Sequence, residues 1–223
     1  MHTTIGQKLN SIPGKSVSTI IAAFILLTDF TLVWRANYSE IIQGRAFLTV
    51  LALASYLWLV QGDFASLGLR FTPKGGWRQW TWFSLRIGFA VVLCIMIGVG
   101  GWYLLGGSLP VITANPKYLA SHFLRMCLFA PMFEEMIYRF VLCGPLAALL
   151  GPWRAIILSG LAFGGLHILY GNPSPENLVG GIFLAWAYLK SESIVIPLLL
   201  HSLGNLCVLF CQVGAWYWLG GTS

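Results

Sequence analysis

The residues of this chain that can do chemistry stand in three short motifs. Glu134, Glu135 and Arg139 lie in EEMIYR, His167 closes FGGLH (Phe163–His167), and His201 and Asn205 bound HSLGN. Glu135 and Arg139 are four residues apart, so on a helix they share a face and can pair. Glu134 points about 100° away from Glu135 and meets a different neighbour. His201 and Asn205 again share a face. A carboxylate beside a neutral imidazole can deprotonate water. A second imidazole and an amide N–H can donate to a developing oxyanion. An arginine can keep one carboxylate ionised while the other is poised. Together these are parts for hydrolysing an amide. The other chemistry open to them is a zinc ion on Glu134, His167 and His201 with a free fourth position, although no HExxH motif occurs.

Each group alone has a structural reading. An intramembrane histidine can serve packing, a Glu–Arg pair can be glue, and an asparagine can bridge helices. A nucleophilic mechanism is poorly served. Ser202 directly follows His201 and so points away from it, Ser159 lies two turns before His167, and no GxSxG occurs. Cys127 and Cys143 flank the glutamates without an evident base.

The surroundings make the motifs costly. The chain has 223 residues, of which 57% are hydrophobic and 9% charged; a soluble domain has about 25% charged residues. The composition predicts an all-α fold, a polytopic transmembrane helical bundle of about seven spans, with eight helices as the other count. Residues 1–223 then form a single integral membrane domain, with a core at 117–210 carrying the motifs. A charge at the bilayer centre costs about 2.5–3.5 kcal/mol, so the six polar groups should converge and satisfy one another. The net charge of +6 is spread over loops, which suits anionic lipid headgroups and not nucleic acid. The five cysteines all fall in apolar segments without a CxxC and read as buried free thiols.

The expected spans are Val17–Trp34, Ala46–Val60, Trp80–Leu105, a long segment Lys117–Leu150 with Pro131 as a natural kink, Pro152–Tyr170, Asn177–Lys190 and Ile194–Phe210. Arg35–Arg45 reads as a polar loop. Asp29 reads as an interfacial residue, the alternative being a partner inside the bundle. Gly160 with Gly164, and Gly181 with Ala185, are small-residue pairs that let helices approach closely. The first segment, preceded by Lys8 and Lys15, reads as an uncleaved signal anchor. Loop charges set the topology: Lys8, Lys15, Arg70, Lys74, Arg78, Arg154 and Lys190 on one side against Arg35, Arg45 and Lys117 on the other. That bias predicts a cytoplasmic N-terminus and a C-terminus across a prokaryotic inner or plasma membrane. The loop Gly106–Pro116 carries Pro110 and Pro116.

The three motifs, in this order on separate helices, resemble those of the CPBP intramembrane proteases, the group that includes the Rce1-like CAAX prenyl endopeptidases. EEMIYR is similar to that family's EExxxR, FGGLH to its FxxxH and HSLGN to its HxxxN. The resemblance covers roughly Lys117–Phe210. It implies a site sunk in the bilayer, with Glu134 and His167 activating water, His201 and Asn205 forming the oxyanion hole, and Glu135 and Arg139 orienting the site. It implies a membrane-associated protein or peptide as substrate. It leaves metal dependence open, with a metal-free mechanism preferred and zinc the alternative. Phe140 stands where many members have glycine, and nothing in the sequence identifies a prenyl-binding cavity. Two readings compete with proteolysis: a non-enzymatic immunity or scaffold protein of the same fold, and a small transporter or proton relay, for which no internal repeat is found.

Overall fold

The computed structural model describes residues 3–5, 9, 12–108, 111–173 and 175–220. Lys8 and Pro110, used above for topology and loop, lie outside them. The described residues are all-α. The helices are α1 (Ile12–Arg35), α2 (Tyr38–Leu59), α3 (Gly76–Leu104), a composite α4 over residues 119–150, α5 (Pro152–Leu169), α6 (Pro175–Ser191) and α7 (Val195–Trp218). Within α1, Lys15–Arg35 is long and apolar enough to cross a membrane, as are α2, α3, α5 and α7. The chain is a multi-pass membrane protein.

By its internal contacts the chain divides into two units, Met1–Lys74 with Phe129–His201, and Gly75–Leu128 with Ser202–Ser223. In the first, buried side chains of α1 (Ala22, Ile25), α2 (Leu48, Ala52, Tyr56), α4 (Ile137, Phe140, Val141) and α5 (Phe163, Leu166) form one core. The Tyr56 hydroxyl, wholly buried, reaches the carbonyls of Ser18 and Val141 at 3.0 Å each. It thus ties α1, α2 and α4 together through backbone groups. In the second unit, Ala114, Cys127 and Leu209 pack together, and Ala114 N donates to Gln212 O at 3.1 Å.

Helix α4 owes its unusual register to its prolines. It runs through α-helical Leu119–His122, π-helical Phe123–Phe129, α-helical Ala130–Glu135, π-helical Met136–Cys143 and α-helical Gly144–Leu150. Pro131 and Pro145 each fall at the second residue of the α-helical piece that follows a π-helical one. Proline has no N–H to give to the preceding turn, and a wider i→i+5 turn is one way a helix absorbs that loss. The second π stretch carries Tyr138 and Arg139, and Ile137–Cys143 are all buried.

The N-terminus of α2 corrects two expectations. The sequence suggests a polar loop through Arg45, but the helix starts at Tyr38. Asn37 caps it, accepting from Glu40 N at 3.1 Å while the Glu40 carboxylate accepts from Asn37 N at 3.2 Å. This reciprocal capping box offsets two orphan donors and puts Arg45 two turns inside the helix, 3% exposed. Arg45 therefore does not belong among the loop charges. Asp29 is not interfacial either: it is 0% exposed, in the bundle interior.

The cysteines are all free, but only Cys127 and Cys143 are buried; Cys94, Cys207 and Cys211 are exposed. A membrane helix is apolar on its lipid face as well as its core face, so an apolar segment does not say which way a thiol points.

The small residues act where α5 meets α6. A Cβ added at Gly160 lies 2.8 Å from Ile182 N and 3.0 Å from Ile182 Cα. Those are backbone atoms, which cannot rotate away. We expect Gly160→Ala to cost about 1–3 kcal/mol, the range of overpacked cores, measured as a fall in thermal stability in detergent. Gly164→Ala is the milder control, because its Cβ meets the flexible Leu178 Cδ1 at 3.3 Å. Equal stability of the Gly160 variant would rule out so close a packing of α5 on α6.

The turn between α6 and α7 is fixed by Glu192, which adopts φ 52° with its side chain 1% exposed. Its carboxylate accepts from Lys74 Nζ at 2.8 Å, Thr4 N at 3.0 Å and Thr4 Oγ1 at 2.6 Å. Burial alone pushes this acid up; the bonds from Lys74 and Thr4 outweigh it and hold the carboxyl below its usual value. A depressed folded-state value stabilises the fold above the unfolded-state range and loses that stabilisation as pH falls through the folded value. Thermal melts should therefore show an acid-side loss of stability below the ordinary glutamate range that is reduced in Glu192→Gln.

Candidate active site

The polar residues of the first unit assemble on five helices. Helix α1 supplies Asp29 and α2 supplies Arg45. The α-helical piece of α4 before its second π stretch presents Glu134 and Glu135 on successive faces, and the π stretch itself supplies Tyr138 and Arg139. Helix α5 brings Phe163 and His167, and α7 brings His201. Glu134, Glu135, Asp29, Arg45 and Arg139 are all at most 3% exposed. Removing a charge from water costs several kcal/mol per ion even after relaxation, so these groups are tolerable only as partners.

Each glutamate has its own arginine. Arg139 Nε lies 2.9 Å from Glu135 Oε2, on the i,i+4 spacing. Arg45 Nη1 donates to Glu134 Oε1 at 3.2 Å. The same guanidinium grips Asp29 with both other nitrogens, Nε to Oδ1 at 2.7 Å and Nη2 to Oδ2 at 3.0 Å. Tyr138 donates its hydroxyl to Asp29 Oδ2 at 3.0 Å, and Arg45 also faces the Tyr170 ring at 5.6 Å. One imidazole joins the two glutamates. His201 Nδ1 is 2.8 Å from Glu135 Oε1, and its Nε2 is 3.9 Å from Glu134 Oε2.

Among the described residues no hydrogen bond or ion pair joins Glu134 to His167, the pairing the sequence suggested; the imidazole that approaches Glu134 within ion-pair range is His201. The phase argument did separate the glutamates, but could not say which helix each would face. His167 Nδ1 lies 3.0 Å from Phe163 O on its own helix. A carbonyl only accepts, so Nδ1 carries the proton and a neutral His167 ring presents an acceptor at Nε2. The His167 ring packs on Phe163 with centroids 4.5 Å apart. Phe163 also meets His201 at 5.6 Å, Tyr138 at 5.6 Å and the Arg139 guanidinium at 4.7 Å. It is the apolar pivot around which the polar groups are set.

Asn205 belongs to the second unit, where its Nδ2 donates to Met126 O at 2.7 Å. Ser159 is committed to a structural bond, donating to Tyr138 O at 2.7 Å. Among the described residues no group of three His, Cys, Asp or Glu side chains is gathered as a metal site.

Sequence reasoning missed Arg45, Tyr138 and the interior place of Asp29. A signal for Arg45 was present in the Asn37–Glu40 capping box, which starts the helix early enough to bury it. Asp29 had its own signal, since a carboxylate within an apolar span calls for a partner.

Comparison with known proteins agrees with the motifs. Residues 116–207 match the family described as Type II CAAX prenyl endopeptidase Rce1-like. No curated protein and no solved structure matches the chain. The matched residues contain all three motifs, while Asp29 and Arg45 precede them. The segment of this chain that carries the paired glutamates and both histidines is an Rce1-like domain.

Proposed function

We propose that this protein is an intramembrane endopeptidase, cutting a peptide bond in a membrane-associated protein or peptide, with residues 117–210 as its catalytic core. The observation that carries this reading is His201 set between Glu134 and Glu135, each glutamate held by its own arginine. A separation of 3.9 Å between His201 Nε2 and Glu134 Oε2 is too long for a direct bond. A water oxygen at about 2.8 Å from each can bridge them. Glu134 takes the proton from that water, and the hydroxide attacks the scissile carbonyl carbon. The C–N bond then breaks, and the proton passes to the leaving amine.

Asp29, Glu134 and Glu135 face two guanidiniums, Arg45 and Arg139. His167, with its acceptor Nε2, is suited to orient water. Asn205 has one amide proton committed to Met126 and a second for an oxyanion. The mechanism is metal-free. All seven helices cross the plasma membrane, with the N-terminus in the cytoplasm.

The test is cleavage in lipid vesicles of membrane-anchored peptides with and without a CAAX prenyl tail, the substrate that the family's description names, with products identified by mass spectrometry. The wild-type protein should release a defined fragment and His201→Ala should not, with both proteins equally folded. Unimpaired cleavage by His201→Ala defeats the mechanism. One zinc per chain in the active protein defeats its metal-free form.

A further inference from the structure

We infer that Arg45 and Asp29, on the first two of the helices that precede the Rce1-like domain, are positioning residues for Glu134. The inference rests on the proposed role of Glu134 as the base. Glu134 has one oxygen bound to Arg45 and the other turned toward His201. A carboxylate rotates about its terminal bond with little preference, so something must choose which oxygen faces the water. Arg45 does so by taking Oε1. A long arginine side chain can do this reproducibly only if it is itself held. Asp29 holds it through two nearly parallel bonds of 2.7 and 3.0 Å, the fork geometry that guanidinium and carboxylate share. Tyr138 then fixes Asp29 from α4 at 3.0 Å.

The order of the chain makes this a division of labour. The chemistry stands on α4, α5 and α7, while the orientation of the base comes from α1 and α2. The arrangement differs from that of Glu135, whose arginine stands one turn along on α4 itself. Glu134 has no basic residue one turn away on α4, since Ala130 and Tyr138 hold those positions. Its cation must come from elsewhere, and α2 provides it. Arg45 faces the Tyr170 ring on its other side. Glu134, Asp29 and Tyr170 are thus its polar and aromatic surroundings.

A structural salt bridge and a positioning device make different predictions when both charges are removed. Arg45→Met alone strands Asp29 and Glu134 as unpaired buried charges and should destabilise the fold strongly. Asp29→Asn with Arg45→Met removes the Asp29–Arg45 pair and should recover the part of the thermal stability in detergent that is lost to the stranded Asp29, as neutralised buried pairs commonly do; Glu134 stays without its cation. A purely structural role restores kcat together with stability. A positioning role leaves kcat low by about 100-fold, the scale of a misplacement of about 1 Å, with KM near wild type.

The second variant is Arg45→Lys, which keeps the charge but cannot fork between Asp29 and Glu134. Its kcat should fall between those of wild type and the double variant. Wild-type kcat in the folded double variant overturns the inference. Should the double variant not fold, wild-type kcat in Arg45→Lys overturns it and a reduced kcat at unchanged KM supports it. The outcome for the parent reading is separate: no cleavage by the unmodified protein overturns the protease assignment, and the positioning role with it.

Discussion

Glu134→Gln should lower cleavage by about 10²–10⁴-fold, the usual contribution of a positioned acid–base group, while leaving the fold almost unchanged. The amide is isosteric. Its oxygen can still accept from Arg45, and Arg45 keeps both bonds to Asp29, so the substitution leaves no unpaired cation behind. What is lost is the basic oxygen turned toward His201 Nε2. An amide NH₂ in that place donates where a base must accept. Initial rates in vesicles, with thermal melts as the control for folding, read the effect directly. A variant that folds and cleaves within a few-fold of wild type would show that Glu134 is not the base. His201 Nε2, oriented by Glu135 through Nδ1, is then the next group able to take the proton. The same result would remove the need for Arg45 to point Glu134 anywhere.

The chemistry in this chain was more legible than its placement. Motif spacing identified EEMIYR, FGGLH and HSLGN, because helical periodicity and the cost of burying charge both act locally. The i,i+4 pair of Glu135 and Arg139 follows from one helix alone, and it is present at 2.9 Å. Partners across helices depend on rotation and depth, which periodicity does not report. His201 rather than His167 beside Glu134 is such a case.

Arg45 failed for another reason. Polar residues near a helix start resemble a loop until the cap is recognised. Asp29 looked interfacial because its partner had been assigned to that loop, so one misplaced boundary hid both members of a pair. The π stretches of α4 were not legible at all. Pro131 announced a local irregularity, but not that hydrogen bonding would widen before each of two prolines.

Arg139 carries the largest stability effect we expect. It is wholly buried, its Nε is 2.9 Å from Glu135 Oε2, and its guanidinium lies 4.7 Å from the Phe163 centroid. Neither Nη atom has a hydrogen-bond partner among the described residues. Arg139→Met leaves Glu135 as an uncompensated buried charge and should cost about 3–5 kcal/mol, the loss typical of breaking such a pair from one side. The methionine itself packs well against Phe163, so the cost reports the stranded carboxylate and not a cavity. Adding Glu135→Gln should recover most of that loss, because it removes the stranded charge. Activity should stay low in this double variant, since His201 Nδ1 then faces a neutral amide and no longer has a carboxylate to hold its proton. A double variant as unstable as the single one would mean that Arg139 stabilises the fold through Phe163 and not through Glu135. Recovered activity would mean that the charge of Glu135 is dispensable. Thermal stability and kcat measured on the same preparations separate the two.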